Sequence, residues 1–302
     1  MQDIKILDGG LCTDLFFNGG FDRATVNNDP LWSSRIIYED PNAIKSSHLR
    51  FINAGCDVIS TCSYQASVKG YVEHAGLTEE KAEDVIGSSV DVAKQAVKES
   101  GRNVLVAGSI SPYGTILHDM SEYTGSYIDT TSEKELCEFH RQNVRILATK
   151  EVDFLAFETL PSLKEAVVLA ELLKEYPSLK AWVSFTTKDG VHTSYGEPFT
   201  EVFKTLAGYK QVEAVGLNCC SFKCVSSLLS VAKNNMAKHQ KLIIYPNNLD
   251  YGPSRTGPLD WLPEVKPWLE SNLIGYIGGC CMTLPNHVAE IKQAVVEWQV
   301  QK

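Results

Sequence analysis

The chain has 302 residues, of which 44% are apolar and 22% charged, the composition of an ordinary globular protein with enough length for a large core. Its formal charge of −9 argues against nucleic acid and anionic membrane surfaces as partners, because both favour basic patches. No apolar run approaches the roughly 20 residues that span a bilayer, and no signal peptide precedes the first apolar run, so the cytoplasm is the expected location.

Short, continuous apolar runs recur along the chain, as expected of strands buried on both faces. The first, 4–7, ends in Asp8-Gly9-Gly10 and opens an unusually long connection, 11–41. A helix is predicted over 41–54. A second strand, 58–61, leads into Cys62-Ser63-Tyr64-Gln65, and the charged, Ala/Val-rich stretch 79–98 reads as the next helix. A third strand, 104–107, opens another long connection, 110–131. Ser132-Glu-Lys-Glu135 then has the pattern of a capping box, and Ser162-Leu-Lys-Glu165 repeats it after a fourth strand, 154–157, which ends in Glu158-Thr159. Strands at 181–185, 214–217, 242–245 and 274–277 follow, with helices predicted near 200–206, 225–233, 259–270 and 286–298.

Eight strands alternating with helices predict an α/β fold: a single (β/α)8 barrel domain over 1–302. A doubly wound parallel sheet fits the same alternation. In a barrel, the residues after each strand converge on one mouth, where barrel enzymes place their sites. Long connections at that face are often functional.

The cysteines are the most informative of these residues. There are nine, an odd number that points to a reducing compartment and away from a disulfide framework. Two predicted strands end in vicinal pairs, Asn218-Cys219-Cys220 and Gly278-Gly279-Cys280-Cys281. Zinc takes thiolates in tetrahedral sites, and a catalytic site has three protein ligands and one open position. Cys219, Cys280 and Cys281 supply three, with Gly278-Gly279 permitting a sharp turn. Cys220 should point away from Cys219 if the strand continues. Cys12, Cys56, Cys62 and Cys137 read as structural, and the roles of Cys220 and Cys224 stay open. Asp8 and Glu158 are carboxylates at two strand ends, suited to a substrate ammonium or to acid–base work. Gly9 and Gly10 allow a ligand near the backbone. Trp32, Tyr64, Tyr113, Tyr123 and Tyr127 lie in or beside the long loops, and an aromatic face attracts an organic cation. His48 and His140 sit within predicted helices and read as packing residues. A zinc buffer or a thiol redox sensor is the rival to an enzyme.

Segments running nearly end to end carry a resemblance: Leu7-Asp-Gly-Gly10, Asp29-Pro-Leu-Trp-Ser33, Thr61-Cys-Ser-Tyr-Gln-Ala66, Ser121-Glu-Tyr-Thr-Gly125, Phe157-Glu-Thr159, Val215-Gly-Leu-Asn-Cys219, Tyr245-Pro-Asn247 and Gly278-Gly-Cys-Cys281. The chain resembles the homocysteine S-methyltransferase family, in the branch that uses S-methylmethionine or S-adenosylmethionine. The resemblance implies Zn2+ on Cys219, Cys280 and Cys281 at the C-terminal mouth of the barrel. It also implies that Asp8, Gly9 and Glu158 hold the amino-acid end of homocysteine. Asn218, Trp32, Tyr113 and Tyr123 complete the expected substrate contacts. The long C-terminal arm of betaine-using relatives does not follow the eighth helix, which implies a sulfonium donor and a monomer. Betaine or another donor, and a selenol as acceptor, are the alternatives within this chemistry. Thr115, Met120, Cys12, Cys220 and Asn247-Asn248-Leu249 depart from the pattern expected of the branch, and Thr115 and Met120 fall in the long 110–131 connection.

Overall fold

A computed structural model describes residues 3–248 and 257–302; Leu249 therefore lies outside the described residues. Eight parallel strands alternate with helices: β1 (Lys5–Ile6), β2 (Val58–Ser60), β3 (Leu105–Ile110), β4 (Phe154–Leu160), β5 (Lys180–Phe185), β6 (Val212–Ser221), β7 (Lys241–Asn247) and β8 (Ile274–Ile277). The hydrogen-bonded order runs β1-β8-β7-β6-β5-β4-β3-β2, and a bridge from Leu7 to Val58 joins the two ends. That closure makes the sheet a barrel and removes the doubly wound alternative. No helix among the described residues is long and apolar enough to cross a membrane.

The helices cover the outside of the barrel. They are α1 (Leu11–Phe17), α2 (Arg23–Asn28), α3 (Ser33–Glu39), α4 (Pro41–Ala54), α5 (Val68–Ala75), α6 (Glu79–Ser100), α7 (Glu133–Thr149), α8 (Leu163–Leu173), α9 (Phe199–Leu206), α10 (Cys224–Asn235), α11 (Leu262–Glu270) and α12 (Pro285–Val300). Three of them, α1 to α3, fold the long connection after β1. The ion pair of buried Asp14 with half-buried Arg50, at 2.6 Å, clamps α1 to α4 and so holds the residues that follow β1.

The period of two along each strand separates two cores. Outward residues such as Leu155, Phe157, Val183 and Leu217 pack against the helices. Inward residues fill the barrel: Leu7, Val58, Ala107, Ala156, Trp182, Ala214, Ile243, Tyr245 and Tyr276 form one cluster. Phe154, Trp182 and Tyr276 stack at its base, with ring centroids 5.9–6.2 Å apart. Continuing the same parity upward puts Ser60, Ser109, Glu158 and Ser184 on the inner face. The interior thus changes from apolar to polar toward the C-terminal ends.

The two capping boxes differ. Ser132 and Glu135 exchange both bonds at the start of α7. At α8 the Ser162 hydroxyl accepts the Glu165 N–H, but the Glu165 carboxylate turns elsewhere. It accepts from the Tyr113 N–H, the Tyr127 hydroxyl and His140 Nε2, and pins the base of the long loop after β3.

Candidate active site

Two bulges aim the sulfur-bearing end of β6. The register between β4 and β5 shifts between Phe157 and Leu160, and that between β6 and β7 shifts between Asn218 and Ser221. Within these shifts Thr159 has φ 64° and Cys219 has φ 50°, a left-handed backbone uncommon for residues with a side chain. A bulge re-aims the side chain it carries. The Asn218 side chain holds both bulges together: its Oδ1 accepts the Thr159 N–H at 2.7 Å, and its Nδ2 donates to Thr159 Oγ1 at 2.8 Å. Cys219 is thereby turned to the mouth, while Cys220 packs into the outer core.

The other pair arrives from β8. The Cys280 N–H bonds to the Pro246 carbonyl, and the Cys281 N–H to Asn247 Oδ1. Gly278 and Gly279 are needed for space, since neither has a positive φ. A Cβ on Gly279 would stand 2.2 Å from Thr283 Oγ1, and one on Gly278 would stand 2.6 Å from Leu7 Cβ. Gly9 and Gly10 meet the same segment: their Cβ atoms would lie 2.6 Å from the Thr283 carbonyl and 2.8 Å from the Cys280 carbonyl. The first and last loops are interlocked by this contact, and by the Met282 N–H donating to Thr13 Oγ1.

The three sulfurs of Cys219, Cys280 and Cys281 lie within 4.8 Å of one another, with 3.6 Å between Cys219 and Cys281. Tetrahedral zinc–thiolate bonds of about 2.3 Å set sulfurs about 3.8 Å apart, so this donor set fits such an ion. Hydrogen bonds from the Cys280 and Cys281 thiols draw the Cys219 pKa well down. The same bonds to Cys219 push those of Cys280 and Cys281 up. Tyr123 adds its hydroxyl at 3.2 Å from Cys219 Sγ.

Beside the sulfurs stand two carboxylates. Asp8 Oδ2 accepts the Ser60 N–H at 2.8 Å. Glu158 accepts from the Ser109 hydroxyl, and from Tyr245 at 3.1 Å. Tyr245 in turn holds Ser184 and the Trp182 indole, which links Glu158 to the packed barrel interior. Burial pushes the Asp8 carboxyl up to about 8, with the Glu158 charge adding to it. Burial likewise pushes Glu158 up to about 7. Neither carboxylate has a cationic partner among the described residues, so a ligand's ammonium would complete both.

These groups line one cavity of about 180 Å3, together with Gly9, Cys12, Trp32, Tyr64, Gln65 and Tyr123. Most of the expected site residues thus meet at one place. Two do not. Asn218 is off the cavity wall because both ends of its amide are taken up by Thr159. Tyr113 packs against Tyr127 and Phe139, at 5.7 and 5.1 Å between ring centroids, because its N–H is drawn to Glu165. Cys12, read as structural, lines the cavity instead. His140 is occupied by Glu165, and His48 is buried with its pKa lowered to about 4 by desolvation. Ser60, Ser109 and Tyr245 were missed as supports of the carboxylates; strand parity was the signal that would have found the two serines. Trp32 and Gln65 also line a second, adjoining cleft of about 350 Å3, together with Asn28, Asp29, Thr115, Met120 and Glu122. Two of the departures from the expected sequence pattern, Thr115 and Met120, fall there.

Comparison with known proteins agrees with this arrangement. A family model described as homocysteine S-methyltransferase matches residues 5–295. A homocysteine S-methyltransferase of Bacillus subtilis, YbgG, is 37% identical, covering 95% of this chain and 92% of its own. A selenocysteine Se-methyltransferase of Brassica oleracea is 35% identical, covering 96% and 88%. The metallated crystal form of the homocysteine methyltransferase MmuM from Escherichia coli superposes with a TM-score of 0.85 at 36% identity, covering 97% and 96%.

Proposed function

The chain belongs to the homocysteine S-methyltransferase family, and on that premise we propose that it transfers a methyl group from a sulfonium donor to the thiol of homocysteine, giving methionine, at a zinc ion held by Cys219, Cys280 and Cys281. The observation that carries the reading is the juxtaposition of three convergent sulfurs with two carboxylates, half-buried Asp8 and buried Glu158, that lack a cation among the described residues. Zinc bound there supplies a Lewis acid that keeps an acceptor thiol deprotonated at neutral pH, where a free thiol is mostly protonated.

The chain's own residues do the rest. Asp8 and Glu158 take the acceptor's ammonium, beside Gly9, which lines the same cavity. This fixes the acceptor sulfur at the thiol cluster and converts an encounter into an oriented attack. Tyr64, Trp32 and Tyr123 line the same cavity, where aromatic faces favour a cation. The acceptor sulfur forms a bond to the donor methyl as the methyl–sulfonium bond breaks. The electron pair goes to the departing sulfur, which leaves as a neutral thioether. No proton is transferred to the leaving group, so the site needs no general acid. The nine unbridged cysteines suit a reducing compartment, and we assign the protein to the cytoplasm as a monomer.

The test is methionine formation from homocysteine with S-methylmethionine, S-adenosylmethionine and betaine in parallel, with zinc content measured on the same sample. Turnover with a sulfonium and one zinc per chain is the expected result. Zinc bound without turnover from any donor would favour a metal-buffer role. A strong preference for a selenol acceptor would move the chain toward the Brassica relative's activity.

A further inference from the structure

The cleft that adjoins the thiol cavity contains two carboxylates, and they differ. Asp29 is satisfied: it accepts the Leu31 N–H at 2.8 Å and is paired with the Arg35 guanidinium. Glu122 is only 6% exposed, and its Oε2 is buried without a hydrogen-bond partner among the described residues. No ion pair reaches it among the described residues. A buried carboxylate oxygen left in this state is costly unless a partner arrives. Burial pushes its pKa up, and the negative charges of Asp119 and Cys219 add to that.

Three further features tie Glu122 to a ligand rather than to the fold. It lines the cleft of about 350 Å3 that shares Trp32 and Gln65 with the thiol cavity. Its neighbour in sequence, Tyr123, touches Cys219 Sγ, so one short segment reaches both the reacting sulfur and the cleft. The cleft wall also holds three non-glycine residues with positive φ, Trp32 at 46°, His118 at 56° and Met120 at 64°, and such backbone clusters at ligand clamps. The segment is fixed from behind, where the Thr186 hydroxyl donates to the Glu122 carbonyl at 3.5 Å.

We propose that Glu122 recognises the methyl donor, by accepting the α-ammonium group of an amino-acid sulfonium lying in this cleft. The assignment rests on the methyltransferase reading above and deepens it, from sulfonium compounds in general to those with an α-amino group. The acceptor's ammonium has Asp8 and Glu158. The donor's ammonium lies three carbons from its sulfonium sulfur, so the donor extends from the thiol cluster past Trp32 toward Glu122. The two amino-acid ends are thus held on opposite sides of the transferring methyl, each by its own carboxylate.

The experiment compares S-methyl-L-methionine with its desamino analogue, (3-carboxypropyl)dimethylsulfonium, on the zinc-loaded protein and on Glu122→Gln. The wild type should prefer the amino donor by about 10- to 100-fold in kcat/KM, the range of a hydrogen bond to a charged group. In Glu122→Gln that ratio should collapse, through a rise in KM for the amino donor, with the homocysteine KM and zinc content retained. An equal loss with both donors would place Glu122 at the sulfonium or in the fold, and would overturn the assignment. So would equal use of both donors by the wild type, which needs no variant to fold. Calorimetric binding of the two sulfoniums gives the same ratio without turnover. A wild type that bound them selectively but transferred no methyl would sink the methyltransferase reading and leave the Glu122 assignment standing.

Discussion

The sulfur-and-carboxylate side of the cavity is built on strands, whereas Trp32 and Tyr123, and Glu122 in the adjoining cleft, come from loops. Cys219, Glu158 and Cys280 stand on or directly after β6, β4 and β8, and the barrel interior fixes their positions through Tyr245, Asn218 and the glycines of the last loop. The other side comes from the two long connections, whose backbone is pinned at a few points such as Glu165. Rigid elements place a reacting centre to within a fraction of an ångström, while loops can vary their cargo on the same scaffold. On the proposed reading, acceptor chemistry belongs to the strands and donor choice to the loops.

The strongest way to break this division is to remove a sulfur. Cys280→Ala or Cys281→Ala should abolish both tight zinc binding and methyl transfer, while the far-UV circular dichroism stays that of the barrel. A variant that kept stoichiometric zinc and turnover would show that the metal centre is not where the strands converge.

Next in size is the support beneath Cys219. Asn218→Ala deletes two buried hydrogen bonds and leaves the Thr159 N–H unpaired. The expected loss is about 2–4 kcal/mol of stability in urea unfolding, with zinc affinity falling as Cys219 loses its aim. If affinity stayed unchanged, the bulge would be shown to hold without its tie.

Legibility in the sequence divides in the same way. The eight strands and the barrel were readable because each strand is a short run buried on both faces. The three sulfurs were readable because cysteine pairs at strand ends have few other uses in a reducing compartment. The bulges were not, because left-handed backbone at Thr159 and Cys219 leaves no trace in residue type. Asn218 was consequently expected at the substrate, when both ends of its amide bond Thr159 on β4, across β5. The loop side was harder still. Tyr113 and Tyr123 look alike in sequence, and only the pull of Glu165 on the Tyr113 N–H separates the one that packs outward from the one that reaches Cys219. Glu122 stood out only as part of Ser121-Glu-Tyr-Thr-Gly125, since an unpaired carboxylate can be recognised only once its surroundings are known.

A third prediction concerns the carboxylates and pH. Glu158 ionises at about 7 in the folded protein against an ordinary 4.5. The folded state therefore holds an extra proton between those values, and this contribution to stability is lost as pH rises through the window. Glu158→Gln carries no such charge. Measured without metal, it should gain on the wild type from pH 5 to 8, by at most about 3 kcal/mol. Its homocysteine KM should rise, most at pH 8, where the wild-type carboxylate is ionised and pairs with the ammonium. A variant no more stable than the wild type at pH 8 would mean that Glu158 already has a cation in the free protein.

The smallest expected effect is the sharpest test of the loop side. Trp32 lines both the thiol cavity and the adjoining cleft, whereas Tyr113 lines neither. Trp32→Ala should raise the donor KM several-fold more than the homocysteine KM, because a lost aromatic–cation contact is worth about 0.5–2 kcal/mol. Tyr113→Phe removes only a hydroxyl from a ring that packs between Tyr127 and Phe139, and should leave both constants within twofold of wild type. If Tyr113→Phe instead weakened the donor alone, the loop after β3 would have to rearrange on binding and bring that ring to the cleft. The loop side would then be a moving part, and the contrast with the strand-built side would be one of motion as well as origin.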